Sequence, residues 1–455
     1  MRRDPRRDSS RNARREVLAI SSSSPRYWPL GVHHRCHRRP RRRPVVEGDG
    51  MRVVVVGGGI GGLALAAGLR RRNFGVTVFD RDREVRATGG YHITLDGRAR
   101  TALAELVAPE VMERLLASAS ALRLRDRDAF WDHRGRLLGH GPDLGQDAGI
   151  DVDRITLRTR LAEAVGDDLH LGRTVSGVGH DEHGAPQVRF TDAPPVTADL
   201  VVGADGVHSL VARHLAGGPT NSPAGVIGFS GRTSLGDLSP REQRRLGPRS
   251  GLALGPRGTA LYVGFLDPVG NAVLDAPELR MSVTTGPTYI WGAMLPESVA
   301  TDALRGLRAG ALRAALLDRF RQRGWAGSTL EVVARADPRS VAAFRFNAAS
   351  TRAADLAPWP AGPVTALGDA VHATPPTAGM GAGAAIRDAA ALLEQLSEVA
   401  GGVTTLPEAV GRFEAGMRRR GSEVLTLAME GVRLILASDT AGGTDTAGGR
   451  APRIP

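Results

Sequence analysis

The sequence predicts an α/β protein, with a Rossmann-like domain interleaved with a smaller mixed-sheet domain and followed by a C-terminal helix. Three observations carry this expectation. The valines at 53–56 run straight into the glycine-rich GGGIGG, and an acid, Asp80, follows at the end of the next apolar run. Two further strand-like runs end in Asp205-Gly206 and in Gly368-Asp369, each ahead of a helical stretch. Between them, residues 224–345 hold strand-like segments that read as a mostly antiparallel sheet. With 455 residues, 42% of them apolar, the chain can bury a core in two lobes.

Taken in order, residues 1–50 hold 14 Arg against five acids and show neither helical nor strand period. We expect this stretch to be disordered, or to be the product of an upstream start codon chosen in error, with Met51 opening the first strand. A transit-like arm and a basic localisation cluster at RRPRRRP are the rival readings. Residues 51–80 then read as one βαβ unit of about 30 residues. The β-branched run at 53–56 suits a parallel strand buried on both faces, residues 62–72 have helical spacing, Asn73 suits a left-handed stop, and GVTVFD is the second strand. Next come a helix over 153–165 opened by Asp153 and a strand–loop–helix over 197–215. The stretches GLALGPRGTALYVGFL and PELRMSVTTGPTYIWGAML read as strands of a mostly antiparallel sheet. A third strand–loop–helix covers 362–396, a helix runs from about 406 to 437, and a small polar tail closes the chain.

Composition excludes several chemistries. None of the 60 basic residues is lysine, so Schiff-base and P-loop lysine chemistry is absent. The formal charge of +12 comes mostly from the leader, and 19 aromatic residues are spread thinly, so we expect no nucleic-acid partner. The single cysteine, Cys36, lies in the leader and leaves the body without a disulfide, a thiolate or a cysteine metal site. Three of the histidines (33, 34 and 37) also fall there and the others are scattered, so no metal is expected. No apolar run approaches the ~18 residues of a membrane span, and the leader lacks the apolar core of a secretory signal. The expected location is the cytoplasm, with no membrane contact.

Chemistry concentrates at the three turns. Gly57, Gly59 and Gly62 form GxGxxG between strand and helix, where missing side chains let backbone N–H groups approach a pyrophosphate; Asp80 stands 18 residues past Gly62, in place for a ribose hydroxyl pair. This motif alone does not separate NAD from FAD. Asp205-Gly206 after LVVGA presents a carboxylate and N–H groups at a strand end, or else is a hairpin turn. Gly368-Asp369, followed by Pro375-Pro376 and GMGAG, repeats the pattern with a glycine-rich helix start.

With these residues in view, the chain resembles the single-component FAD-dependent aromatic hydroxylases of the p-hydroxybenzoate hydroxylase type, over nearly all of 51–437. GGGIGG with Asp80 is similar to that family's ADP-binding fingerprint, GADGVHSLVAR to its Asp-Gly motif for FAD and NAD(P)H, and GDAVHATPPTAGMGAGAAIRDA to its Gly-Asp motif for the flavin ribityl chain. GGYHITLDGRARTALAEL and Arg154 in DRITLRTRL resemble smaller members such as the tetracycline-inactivating monooxygenases.

The resemblance implies FAD as cofactor, NAD(P)H as co-substrate and O2 as oxidant. A flavin C4a-hydroperoxide would hydroxylate an aromatic or polyketide-like small molecule, in secondary metabolism or antibiotic modification. Asp80 with Arg81 would serve the adenosine ribose, Arg154 the pyrophosphate or flavin region, and Asp205 with Gly206 the pyrophosphate side. Gly368 and Asp369 would hold ribityl and pyrophosphate oxygens, Pro375 and Pro376 would wall the isoalloxazine, and Gly379, Met380, Gly381, Ala382 and Gly383 would face its N1–C2=O edge. Met380 and Gly383 stand where Gln and Asn are frequent, and Arg213 comes one residue late. No catalytic acid or base is obligatory; His372 is either a proton relay or a packed loop histidine. Tyr91, His92, Phe229, Phe265 and Trp291 are the candidate substrate residues, with Tyr262 and Tyr289 beside them, and the aromatic ones read equally well as core. The alternative function is a redox-neutral flavoprotein, cyclase-like or flavin-binding only.

The domain plan places the FAD-binding domain at 51–125, 150–220 and 350–400. The substrate domain takes 126–149 and 221–349, the C-terminal helix 401–437, and a disordered tail 438–455.

Overall fold

The valines at 53–56 form the central strand of a five-stranded parallel sheet, each at most 3% exposed. The computed structural model describes residues 50–89, 92–145 and 149–438, and these described residues belong to one compact unit. The expectations for the leader, for Tyr91 and for the tail beyond 438 lie outside the described residues. In the parallel sheet the order is Val364–Ala366, Leu200–Gly203, Arg52–Val56, Gly75–Asp80 and Leu169–Leu171. Val53 pairs with Leu200 on one edge and Val76 on the other; Val53 and Val55 face α1 and its neighbours while Val54 and Val56 face Val211 and the Val178 and Val188 strands of a three-stranded sheet, so the strand is apolar throughout.

The principal helices are α1 (Ile60–Arg71), α2 (Gly97–Leu106), α3 (Arg154–Val165), α4 (Leu210–Ala216), α5 (Ala309–Arg321), α6 (Gly381–Ala400) and α7 (Leu406–Ala437). Asn73 ends the first βαβ helix region at φ 59°, as its sequence position predicts. The Asp153 carboxylate accepts from the N–H groups of Ile155 and Thr156 and so starts α3. Helix α7 opens with a capping box between Thr405 and Glu408 and keeps the expected bounds. Leu63 and Leu69 of α1, Leu103 of α2, Leu157 and Leu161 of α3, and Leu392 and Leu396 of α6 share one apolar cluster with the parallel sheet.

The second large sheet has seven strands, in the order Ala342–Ala348, Ser222–Ser234, Thr288–Pro296, Thr259–Leu266, Gly251–Gly255, Ala129–Asp132 and Leu137–His140. Every pairing is antiparallel except Gly251–Gly255 with Ala129–Asp132. GLALGPRGTALYVGFL is the expected hairpin, turning through Arg257 and Gly258 at φ 57° and 68°. The strand expected across PELRMSVTTGPTYIWGAML begins only at Thr288. Ahead of it the Met281 N–H donates to Ser118 Oγ and the Val283 N–H to Thr156 Oγ1, which removes donors a ladder would need. Residues alternate faces along these strands. Phe229, Leu261, Val263, Trp291 and Ala293 pack on Leu312, Leu316 and Phe320 of α5, and the opposite face meets Val432 and Ile435 of α7 through Val226, Ala260, Met294 and Phe346.

A three-stranded sheet, His92–Leu95, Ile150–Asp153 and Ala119–Ala121, ties the two together. Its middle strand runs directly into α3, while its side chains reach the seven-stranded sheet.

Candidate functional site

Glycine is required at two points of the first turn. Gly57 sits at φ +108°, and a Cβ there would lie 2.4 Å from the Ala204 carbonyl oxygen; one on Gly62 would lie 2.1 Å from the Gly57 carbonyl oxygen. The strand end, the Asp205 turn and α1 therefore press together backbone to backbone. Gly59 is the N-cap of α1, and no side chain occupies that cap. The helix start is left with N–H groups and positive dipole for an anion.

Asp80 lies at the adjoining strand end. Its Oδ2 accepts from the Gly58 N–H at 2.5 Å and its Oδ1 from the Asp82 N–H at 2.7 Å, so each oxygen keeps a further lone pair. Arg158 holds this corner from behind. Its Nε donates to the Gly58 carbonyl (2.8 Å), its Nη1 reaches Asp82 (2.9 Å) and its Nη2 lies 3.5 Å from Asp80. Sequence reading missed Arg158. Its position one turn after Arg154 on the same helix was the available signal. Arg81 itself is exposed.

At the second turn the Asp205 carboxylate is held by the chain itself. Its Oδ1 accepts from the Ser209 hydroxyl, and its Oδ2 from the N–H groups of Leu210 (2.7 Å) and Val211 (3.3 Å), so the carboxylate is spent on starting α4. Burial pushes its pKa up. A carboxylate turned inward suits a pyrophosphate neighbour better than one aimed at it, because like charges repel. Gly206, at φ +76° with open space where a Cβ would be, keeps the outer side of the turn free. A cleft of about 190 Å³ opens beside it, lined by His208, Arg213, Asn221 and Asn347.

The third turn carries the open bonds. Gly368 adopts φ +62°, and a Cβ there would lie 3.0 Å from that of Ala385. Asp369 Oδ1 and Arg154 Nε are both buried without a hydrogen-bond partner. Burial pushes the Asp369 pKa up, and His372 and Arg154 oppose it. Helix α6 starts at Met380 without a side-chain cap, and a Cβ on Gly381 would fall 3.8 Å from Asp369 Oδ1. The uncapped start and the unsatisfied carboxylate thus adjoin. Pro376, Gly379, Met380, Gly381 and Ala382 retain exposed surface, whereas Pro375 and Gly383 are buried. A Cβ on Gly383 would stand 3.2 Å from that of Ala99 on α2. Glycine in place of the frequent Asn lets α2 and α6 approach closely.

His372 is fully buried and its Nε2 lies 2.6 Å from Asp388 Oδ2, itself fully buried. Burial alone would lower its pKa, but Asp388 and Asp369 hold it above the usual histidine value. The packed histidine is the reading the geometry favours, because a proton relay needs a path to substrate that this ring lacks. Asp388, a lone acid in the apolar run of α6, was a legible signal left unread.

On the seven-stranded sheet, Phe229 and Trp291 are fully buried, and Phe265 stacks obliquely on Tyr289 with ring centroids 5.4 Å apart. All belong to the cluster beneath α5, so these three are corrected from substrate liners to core. Strand alternation supplies the reason, since Tyr262 pairs with Gly292 and sits on the other face, as do their row neighbours Ser230 and Leu252. There the Tyr262 hydroxyl meets His92 Nε2 at 3.2 Å. Burial lowers the His92 pKa and raises that of Tyr262, and His92 Nδ1 is buried without a hydrogen-bond partner. Behind them Arg125 pairs with Asp151 (2.8 Å) and also donates to Ser250 Oγ and the Phe265 carbonyl. Arg232 pairs with Asp153, which also accepts from Thr284 Oγ1.

No cluster of side chains suited to a metal ion occurs among the described residues, and no described helix is long and apolar enough to cross a membrane.

The model of an FAD binding domain matches residues 318–413, and that of an NAD(P)-binding Rossmann-like domain matches residues 55–99. The chain is 26% identical over 401 residues to the dual O-methyltransferase/FAD-dependent monooxygenase CTB3 of Cercospora beticola, covering 82% of this chain and 45% of that protein. It is 27% identical to the FAD-dependent urate hydroxylase of Mycolicibacterium vanbaalenii, over 75% of this chain and 78% of that one. The chain spans about half the length of several relatives it matches. Among solved structures, Klebsiella pneumoniae HpxO complexed with FAD and uric acid superposes at a TM-score of 0.67 with 23% identity, over 86% of this chain and 90% of that chain.

Proposed function

The chain has the fold of the FAD-dependent monooxygenases and is a sequence relative of their single-component aromatic hydroxylases, and from that premise we propose that it uses FAD, NAD(P)H and O2 to hydroxylate an aromatic or polyketide-like small molecule. One observation carries the reading: a buried acceptor, Asp369 Oδ1, and a buried donor, Arg154 Nε, are both left without partners beside the uncapped start of α6. A buried acceptor and a buried donor left open at the start of one helix call for a group that completes both. FAD fits that donor set, because its ribityl hydroxyls donate and its pyrophosphate accepts.

When bound, FAD supplies the redox and oxygen-transfer chemistry. The protein's part is placement. The uncapped N–H groups from Gly59 into the first turn of α1 would hold the pyrophosphate, Asp80 would accept from the ribose and Asp369 from the ribityl chain, and the N-terminus of α6 would stabilise negative charge on the ring. His92, kept neutral, offers its Nδ1 proton to an oxygen of substrate or cofactor while Tyr262 fixes the ring. Substrate lies on the sheet face that carries Tyr262, away from Trp291. The reading extends to a cytoplasmic enzyme of secondary metabolism or antibiotic modification, supported by the lone cysteine at position 36.

The test is the visible spectrum of the purified chain without oxygen, before and after NADPH or NADH, followed by oxidation of the nicotinamide with candidate phenols. Yellow protein that bleaches, and whose turnover rises with one substrate that gains an oxygen atom from O2, is the expected result. Protein that neither retains nor takes up FAD would overturn the proposal.

A further inference from the structure

The turn that carries Asp369 is fastened from behind by a charge cluster that the proposed chemistry does not use. Asp388 of α6 has no exposed surface, yet it serves three elements. Its Oδ2 accepts from the Gly368 N–H at 3.2 Å and lies 2.6 Å from His372 Nε2. Its Oδ1 accepts from Arg420 Nε at 3.0 Å, with Arg420 Nη2 at 2.9 Å. Arg420 belongs to α7, and the next residue, Gly421, presses on His372: a Cβ there would stand 2.9 Å from the His372 Cβ.

A buried ion pair seldom adds net stability over well-packed apolar side chains, so its persistence calls for a geometric purpose. The geometry is specific here. Asp388 bonds the backbone of Gly368, the left-handed residue immediately before Asp369. A displacement of the carboxylate is therefore passed across one peptide unit to the acceptor left open for a ligand. Removing Arg420 takes away the cation that compensates the buried carboxylate and leaves His372 and Gly368 to compete for it.

We propose that Arg420, on the C-terminal helix, is a positioning residue for the flavin: through Asp388 and Gly368 it holds Asp369 where it accepts from the ribityl chain. The inference rests on the FAD reading above. It makes cofactor affinity depend on α7, which supplies no ligand to the turn.

The experiment titrates the full-length apoprotein with FAD by flavin fluorescence, for the wild type and for Arg420→Met, Arg420→Lys and Arg418→Met, with thermal unfolding of each apoprotein. Arg418 is the internal control. It fastens the same helix to the carbonyls of Leu356 (2.9 Å) and Ala357 (2.6 Å) and makes no bond to Asp388. Arg420→Met is expected to weaken FAD binding by about 10-fold or more, the scale of one lost charge-assisted hydrogen bond. Arg420→Lys, which keeps the charge but not the Nε hydrogen bond, should recover part of it. Arg418→Met should lower the unfolding temperature and leave FAD affinity intact. Equal affinity in Arg420→Met and wild type, or equal weakening by Arg418→Met, overturns the inference. If Arg420→Met does not fold, Arg420→Lys decides alone, and wild-type affinity in it is the overturning result. A wild type that takes up FAD isolates this inference from the FAD reading, whereas one that binds none ends both.

Discussion

The parallel sheet builds its half of the site out of missing side chains, and the seven-stranded sheet builds its half out of paired ones. At Gly57 and Gly62 an added Cβ would strike backbone, and the starts of α1 and α6 carry no capping side chain. Where the other sheet meets the three-stranded one, Arg125 meets Asp151, Arg232 meets Asp153 and Tyr262 meets His92. The difference teaches which half is fixed by its ligand. A pyrophosphate needs only N–H groups and room, and backbone supplies both at low entropic cost. The buried charges around Tyr262 and His92 come already compensated by partners within the chain.

The largest expected effects fall on the paired half. Trp291→Ala should cost about 3–5 kcal/mol in denaturant unfolding, as truncation of a fully buried aromatic does, while the folded fraction binds FAD as before. Lost FAD affinity in that variant would break the comparison, because the ring would then belong to the site. Arg125→Met strands Asp151 without its cation and should cost about 3 kcal/mol or more by the same assay; the double replacement with Asp151→Leu should recover much of it. Next in size, Asp369→Ala should lower FAD affinity by ~10–100-fold with a smaller change in apoprotein unfolding, since it removes an acceptor oxygen, Oδ1, that no protein group satisfies. Unchanged flavin content in the purified variant would remove Asp369 from the site.

The smallest effect is on pH. His372 sits above its usual pKa, so its contribution to stability is present below the unfolded histidine value and lost as pH rises through the folded one. Burial alone would raise the Asp388 pKa, but His372 and Arg420 hold it low, so its contribution is lost only as pH falls through that depressed value. Unfolding free energy measured across pH should therefore decline on the alkaline side, and His372→Gln should flatten that decline.

The glycine turns were legible because a missing side chain is written in the letters themselves. The helix starts at Asp153 and Thr405 were legible because caps act over three residues. The strand misread ahead of Thr288 failed for the opposite reason: its N–H groups bond Ser118 Oγ and Thr156 Oγ1, far away in the chain. Asp205 reads as a ligand until its three donors are seen to lie in the helix it begins.

The sequence by itself determined the βαβ unit, the order of the three turns and the span of α7, all of which rest on periodicities and spacings of a few residues. Only the tertiary structure decided which face of each strand is core. A period of two separates Phe229 and Trp291 from Ser230 and Gly292 but does not say which set meets α5. It alone also joined Arg158 to Asp80 and Arg420 to Asp388, because a charge deep in a protein is tolerable only where packing brings its partner, and no local pattern records that meeting.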